Sequence, residues 1–239
     1  MYRQVGNNGH WNGHAEAAYR GVVIAQSGQL DALVALARIG TRLSFSRNAE
    51  IYAEGGAADC WFKVISGTVR ISKLLADGRR HIAEFRFGGD CFGIDNAGER
   101  IYSAEAVDDV IVMRYRRSMT EQLVDQNPAL ARVLRDTVLR ELANAQGRTL
   151  MLGRMTAPER VAAFLLEMFE RRDRTRVLDL PMSRNDIADY LGLTIETVCR
   201  ILSAFKREGA IAIPNAHRIE LLDRSALEAI SEAGCSAVV

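Results

Sequence analysis

The sequence has no large excess of charge, no clustered cysteines and no long hydrophobic run. Its formal net charge is +1 at pH 7, which excludes a uniformly basic, histone-like protein but not a small local surface that reads nucleic acid. Its four cysteines, Cys60, Cys91, Cys199 and Cys235, are scattered, and no two have the spacing of metal ligands. We therefore expect reduced thiols and no metal site.

The first residues predict neither a secretory signal nor a membrane anchor. Residues 1–28 start with a polar stretch rich in Gly and Asn, and their one apolar run, VVIAQSG, is too short and interrupted to span a bilayer. We expect residues 1–28 to form a flexible N-terminal arm and the protein to be cytoplasmic, with no membrane partner.

Residues 29–118 have the pattern of a β-rich domain. Short stretches alternate apolar and polar residues, and glycine pairs interrupt them. Asp77-Gly78 lies between VRISKLL and HIAEFRF, which is a strong β-hairpin signal. Many short strands at close spacing predict a sandwich or a small barrel.

A helical pattern replaces the β pattern near Ser118, and we assign residues 119–153 to a long helix with Asn127-Pro128 near its start. An apolar stripe with spacings of three and four runs along one face. This face could pack on the chain's own β domain or form a seam with a second copy, and we favour the dimer. The predicted interface comprises Leu134, Val138, Leu142, Ala145, Thr149 and Leu152.

Residues 154–239 contain the pattern of a helix-turn-helix. Ser183 and Asp186 are spaced as a capping box, Gly192 permits a sharp turn, and Thr194 can cap the next helix. On that second helix the spacing predicts a buried face of Val198, Ile201, Leu202 and Phe205. The following segment AIAIPNAHRIELLD predicts a β-hairpin wing with Pro214-Asn215 at its bend.

The face opposite the buried one carries side chains that can read bases. Arg200 can donate two hydrogen bonds to guanine, and Glu196 can accept one from cytosine. A solvated Glu–Arg pair four residues apart would stabilise the helix by only about 0.3–0.5 kcal/mol. Within the full helix-turn-helix pattern we favour a reading role for Glu196 and Arg200, with Ile195 and Cys199 beside them.

Polar residues around this face are candidates for contacts that position the protein on DNA without specifying sequence. A solvated surface role is an equal alternative for each of them taken alone. The predicted phosphate contacts are Ser183, Arg184, Thr197, Ser203, Lys206, Arg207, His217 and Arg218.

A β-rich domain, a long helix and a winged helix-turn-helix, in that order, resemble the CRP/FNR superfamily of bacterial transcription regulators over roughly residues 40 to 230. The most specific match is ETVCR after IADYLGLTI, which resembles the family's Glu-x-x-x-Arg reading helix. The resemblance implies an α+β protein with a cyclic-nucleotide-binding-like β roll (a double-stranded β-helix or jelly roll). It also implies a homodimer that binds near-palindromic double-stranded DNA and contacts RNA polymerase.

In the reading helix, Ile195 resembles one branch of this family and Cys199 departs from the family's usual residue. Ile195 stands where the CRP branch has an additional base-reading arginine, which is similar to the FNR and FixK branches and implies a TTGA-type half-site. Cys199 replaces a residue that is often Ser or Gly in the family. We expect Cys199 at the DNA surface, where oxidation would add negative charge and weaken binding; the alternative is a small residue chosen for fit.

Departures from the family's ligand motifs predict a regulator without a cofactor. The cyclic-AMP branch uses an Arg-Ser pair and a Glu, whereas this chain has Arg100 followed by Ile101, and Ile94 in place of the Glu. No N-terminal cysteine group is present for an iron–sulfur cluster. Haem ligation by His81 and Cys91 is disfavoured, since each is more often a packed or surface residue. The resemblance is therefore to FixK-type regulators of low-oxygen and nitrogen-fixation programmes.

Two other functions compete with an effector-independent activator. One is a ligand-gated regulator of the same fold with an unidentified effector in the β roll. The other is a metal-dependent, cupin-like enzyme, which would need clustered inward-facing histidines. His10, His14 and His217 lie outside the predicted barrel, leaving His81 alone, so we expect no enzymatic activity.

Overall fold

A computed structural model describes residues 34–95, 98–171 and 176–232. The expected flexible arm, residues 1–28, lies outside the described residues, as does Cys235. Residues 34–39 are helical and lead into the first strand.

The β-rich domain is built from two four-stranded antiparallel sheets, as the alternating pattern predicts. The strand order is β1-β8-β3-β6 in one sheet and β2-β7-β4-β5 in the other. Val64, Val69 and Val112 are completely buried in the core of this roll. The strands are β1 (Thr41–Phe45), β2 (Glu50–Tyr52), β3 (Cys60–Ser66), β4 (Val69–Leu74), β5 (Arg80–Arg86), β6 (Cys91–Phe92), β7 (Ser103–Ala106) and β8 (Val110–Arg116).

The predicted hairpin around Asp77-Gly78 joins β4 to β5. The backbone N–H of Gly78 donates to the carbonyl of Leu75 at 2.9 Å. Gly78 has φ +83°, a conformation that glycine adopts without strain. The hairpin confirms the prediction and places Arg80 at the start of β5.

The segment 119–153, expected to be one dimerisation helix, falls into two helices, α1 (Arg117–Gln126) and α2 (Pro128–Arg154). Asn127 separates them in an extended conformation, and its side chain accepts from the N–H groups of Ala129 and Leu130. Pro128 has no N–H with which to continue α1 but suits the first turn of α2. The long helix thus begins where Asn127-Pro128 indicates.

The C-terminal domain has the expected winged helix-turn-helix form. Its three-stranded sheet has the order β10-β11-β9. The elements are α3 (Ala157–Arg171), β9 (Val177–Asp179), α4 (Arg184–Leu191), α5 (Ile195–Arg207), β10 (Ile211–Asn215), β11 (Arg218–Leu221) and α6 (Arg224–Glu232).

The bend of the wing lies two residues later than predicted. Pro214 and Asn215 end β10, and Ala216 and His217 form the turn. The Asn215 side chain accepts from the N–H of His217 at 3.0 Å, as asparagine does in turns. Pro214 is tolerated in the strand because the pairing register is interrupted between Ala212 and Asn215.

One apolar core joins the roll to the C-terminal domain. Ile82 and Phe85 of β5 belong to the same buried cluster as Phe164 of α3 and Tyr190 of α4. The Phe85 and Tyr190 rings lie 5.3 Å apart. The helix-turn-helix is therefore packed against the roll as well as connected to it through α2.

Candidate DNA-reading interface

The turn between α4 and α5 is determined by local hydrogen bonds. Ser183 caps α4 by accepting from the N–H of Asp186, and the Asp186 carboxylate accepts from the N–H of Ser183 in return. Gly192 ends α4 in the left-handed conformation, with φ 63° and ψ 38°. Thr194 then caps α5 by accepting from the N–H of Thr197. These caps and the turn at Gly192 make the connection between α4 and α5 short and well defined.

Helix α5 has one buried and one exposed face. Val198, Ile201, Leu202 and Phe205 are buried, as the spacing predicts. The four predicted reading residues are exposed and share the opposite side: Ile195, Glu196, Cys199 and Arg200. The structure therefore brings these four together on one accessible edge of the helix.

Glu196 is an ionised acceptor at the start of this edge. Its carboxylate accepts from its own backbone N–H and from the Thr194 side chain, and these hydrogen bonds lower the pKa of Glu196. A carboxylate near a helix N-terminus is also favoured by the helix dipole. Arg200, one turn further along, presents a permanently charged guanidinium.

Cys199 is a free, exposed thiol between these charges. The hydroxyl of Ser203 donates to the Cys199 carbonyl at 2.8 Å. Burial lowers the pKa of the half-buried Arg184, while the nearby Cys199 opposes that effect. The Nη1 atom of Arg184 is buried and has no hydrogen-bond partner among the described residues.

The predicted phosphate contacts fall into two groups. Lys206 and Arg207 are exposed in the last turn of α5. Apart from the half-buried Arg184, the others already make bonds within the chain: the Ser183 hydroxyl with Asp186, the Thr197 hydroxyl with Thr194, the Ser203 hydroxyl with the carbonyl of Cys199, His217 Nδ1 with the carbonyl of Leu180, and Arg218 with both oxygens of Asp179. A phosphate would have to compete with these bonds.

The predicted interface on α2 is largely uncovered in the single chain. Val138 and Leu142 are 47% and 54% exposed, and Ala145 and Thr149 are exposed beside them. At the ends of the stripe, Leu134 packs partly on the roll and Leu152 on the C-terminal core. Val138 and Leu142 thus remain open, whereas Ala145 and Thr149 also line a cavity between α2 and the roll.

A cavity of about 440 Å³ lies between the roll and α2, and His81 and Cys91 both line it. Beside it Arg100, with a side chain only 1% exposed, pairs with Asp95 at 2.8 Å. Arg100 also donates to the carbonyls of Gly93 and Cys60 and lies over the ring of Tyr52. This arginine is thus neutralised and held within the chain.

Four charged residues that the sequence analysis did not assign to a site join the two domains. Arg70 and Arg80 of the roll meet Asp186 and Asp189 of α4. Asp186 was assigned only as a helix cap. No local pattern links residues that lie 109 positions apart, as Arg80 and Asp189 do, so only the tertiary structure could identify this cluster.

Across residues 34–95, 98–171 and 176–232, no helix combines the length and apolarity needed to cross a bilayer. Over the same ranges, no three His, Cys, Asp or Glu side chains are grouped to hold a metal ion.

Both domains match known families. Residues 42–127 match the cyclic nucleotide-binding domain, and residues 159–230 match the Crp-like helix-turn-helix domain. The structure is similar to that of FixK2 from Bradyrhizobium japonicum, with a TM-score of 0.78, 41% identity, and coverage of 82% of this chain and 98% of FixK2.

Two nitrogen fixation regulators are similar to this chain over most of their own length. The nitrogen fixation regulation protein FixK of Azorhizobium caulinodans is 42% identical over 213 residues, which cover 87% of this chain and 85% of the relative. FixK of Bradyrhizobium diazoefficiens is 37% identical over 228 residues, covering 93% and 96%. The matches of both domains and the similarity to these FixK proteins show that the chain belongs to the FixK-type branch of the CRP/FNR family, whose members are DNA-binding transcription regulators and not enzymes.

Proposed function

We propose that this protein is a homodimeric activator that reads a TTGA-type palindrome, contacts RNA polymerase and needs no small-molecule effector. The observation that carries the proposal is the exposed edge of α5, where Glu196 and Arg200 lie opposite a buried apolar face. The names of the relatives support an activator of nitrogen-fixation genes, and we propose that it acts in the cytoplasm.

Each side chain on this edge has a distinct task in the major groove. Arg200 donates a bidentate pair to guanine O6 and N7, and Glu196 accepts from cytosine N4. Ile195 offers an apolar contact to a thymine methyl group, which suits a T-rich half-site. Lys206 and Arg207, at the far end of α5, are placed to neutralise phosphates and set the protein's register.

A second copy of the chain covers the open stripe on α2. Val138 and Leu142 expose large apolar side chains on one face of a helix of 27 residues. Pairing two such faces buries apolar surface at about 25 cal/mol per Å² and relates the two reading helices by two-fold symmetry. A symmetric protein then reads a symmetric site, with half-sites about 34 Å apart.

The Arg100–Asp95 pair supports activity without a bound nucleotide. Arg100 is the candidate for a phosphate-binding cation in the roll, and an internal carboxylate already neutralises it. An incoming phosphate would have to displace Asp95 and two backbone carbonyls. We propose that the roll needs neither cyclic nucleotide, haem nor an iron–sulfur cluster.

The cavity between the roll and α2 favours a second candidate, a ligand-gated regulator of the same fold. Its volume of about 440 Å³ would accommodate a small effector. Such an effector would contact Ala145 and Arg148 of α2 and could alter the seam between the two copies.

We further propose that oxidation of Cys199 inactivates the protein. The thiol is exposed on the reading edge, with the guanidinium of Arg200 next to it in sequence and that of Arg184 nearby. Sulfinate or sulfonate at this position would carry fixed negative charge toward bases and phosphates.

Arg200→Ala and Lys206→Ala separate reading from positioning. With about 1–3 kcal/mol lost in each half-site, Arg200→Ala should weaken specific binding by at least roughly 30-fold and erase the preference for the palindrome.

Lys206→Ala should weaken binding to all sequences alike. It should also reduce the slope of log affinity against log salt concentration by about one per protomer. Titrations of palindromic and random duplexes at several salt concentrations measure both; an intact preference in Arg200→Ala would refute its reading role.

Leu142→Glu should give a folded monomer that no longer binds the palindrome, because it places a charge in the middle of the proposed seam. The matched control is Gly147→Glu, which adds the same charge about 140° around α2 from Leu142, at a position where an added Cβ meets nothing within 4 Å. Sedimentation velocity measures the assembly state. A dimeric Leu142→Glu protein would contradict the assigned interface.

Cyclic AMP should neither bind nor change DNA affinity, since Asp95 neutralises Arg100. Calorimetric titration of the purified dimer should show no saturable binding, and DNA titrations with and without cyclic AMP should coincide. Tighter DNA binding with cyclic AMP would reject effector independence and support the ligand-gated alternative.

Peroxide should abolish DNA binding by the natural protein but not by Cys199→Ala. Cys91→Ala is the control, because burial raises the pKa of Cys91 to about 11 and keeps that thiol protonated; this variant should stay as sensitive as the natural protein. DNA affinity after graded peroxide treatment is the measurement. Equal inactivation of all three proteins would exclude Cys199 as the sensitive group.

A further inference from the structure

We infer that Arg70 and Arg80 of the roll act as positioning residues for DNA recognition by holding Asp186 and Asp189 of α4. These four side chains are called the interdomain clamp. The inference extends the proposed function, because it concerns how two reading helices of a dimer are kept at one spacing.

The clamp is a connected set of short charge–charge contacts. Arg80 Nη2 lies 2.5 Å from Asp186 Oδ1, and Arg80 Nε donates to Asp189 Oδ2 at 2.8 Å. Arg70 Nη1 lies 3.3 Å from the same Asp186 oxygen. Glu105 orients Arg70 by accepting from its Nε at 2.7 Å. One carboxylate of α4 is therefore shared by two arginines of the roll.

The clamp is shielded from water more than a surface ion pair. The side chains of Arg70 and Asp186 are 14% and 6% exposed, and those of Arg80 and Asp189 are 27% and 20% exposed. Salt screens such partly buried charges less than exposed ones, and the loss of one partner leaves the other charge poorly solvated.

Asp186 remains charged at neutral pH in this setting. Burial disfavours its carboxylate, but hydrogen bonds from Ser183 and the charges of Arg80 and Arg70 outweigh that cost and lower its pKa. A lowered carboxyl pKa gives stabilisation that is present above the ordinary value of 3.8 and is lost only as the pH falls toward the lowered one. The clamp therefore stays closed throughout the physiological range.

The clamp acts on the helix that determines the direction of α5. Asp186 also caps α4 through Ser183, so the same carboxylate starts the helix and holds it to the roll. Next along α4, Tyr190 packs against Phe85 of β5, with ring centres 5.3 Å apart. The short turn at Gly192 passes the orientation of α4 on to α5.

The clamped arrangement leaves the reading edge free. Glu196, Cys199 and Arg200 are exposed while α4 is held to the roll. The clamp thus stabilises a form that can bind DNA and does not cover the reading surface. In a dimer, two clamps would fix the separation of the reading helices before DNA arrives, which reduces the ordering cost of binding.

Other contacts keep the domains together when the clamp is removed. Asp90 of the roll pairs with Arg171 of α3 at 2.9 Å. Glu84 and Arg86 of β5 pair with Arg148 and Glu141 of α2. Loss of Arg80 should therefore loosen the orientation of the helix-turn-helix without detaching it.

The test uses the full-length dimer and palindromes that differ only in the distance between half-sites. A double-mutant cycle compares the natural protein with Arg80→Gln, Asp189→Asn and the double variant. The matched control is Arg79→Gln. Arg79 is the neighbouring arginine; its side chain is 78% exposed and pairs with Asp77 of its own hairpin. Binding is measured for the natural spacing and for one base pair more or less.

Arg80→Gln should lose about tenfold in affinity at the natural spacing and much less at the altered ones, so its discrimination between spacings falls. Asp189→Asn should change in the same direction, and the double variant should lose less than the product of the two single losses. Base preference within each half-site and the behaviour of Arg79→Gln should match the natural protein.

Two results would overturn the inference. An equal loss at every spacing, with a lower midpoint of urea unfolding, would assign the four residues to stability alone. Tighter binding by Arg80→Gln would show that the clamp holds a form that cannot bind DNA. Failure of the natural protein to prefer any palindrome would instead refute the proposed function, which keeps the two failures distinct.

Discussion

The burial of one face of α5 is the constraint on which recognition depends. Val198 and Phe205 anchor this face in the C-terminal core, so the helix can present only its opposite edge to a partner. The proposed reading role of Glu196 and Arg200 depends on that restriction, because the same pair on a helix without a buried face would be an ordinary solvated ion pair. The turn at Gly192 and the interdomain clamp then carry this orientation back to the roll.

The roll acts in this account as a rigid support for the reading helices. Arg100 is neutralised by Asp95, and several charged side chains of β4 and β5 pair with α2 and α4. Charged side chains of the roll that could bind an effector in a ligand-responsive regulator instead pair with other side chains of this chain. Under the proposed function, the protein would keep one ordered DNA-binding form without an effector, and oxidation of the exposed Cys199 would control it directly.

Local patterns in the sequence predict much of this fold. Asp77-Gly78 predicts the hairpin between β4 and β5, and Asn127-Pro128 predicts the start of α2. The spacing of apolar residues from Val198 to Phe205 predicts the buried face of α5. The bend of the wing was misplaced, because the Asn215 side chain forms its turn with the residues that follow it. The clamp could not be found at all, since its pairing depends on how two domains dock over a separation of 106 to 116 residues.

The most direct test of the central claim is selection of bound DNA from a random pool by the purified protein, without added effector. The account predicts that the recovered sequences converge on a palindrome with TTGA-type half-sites whose centres lie about 34 Å apart. Recovery of asymmetric single sites, or of no common sequence, would contradict a symmetric pair of reading helices that present Glu196 and Arg200 to the major groove.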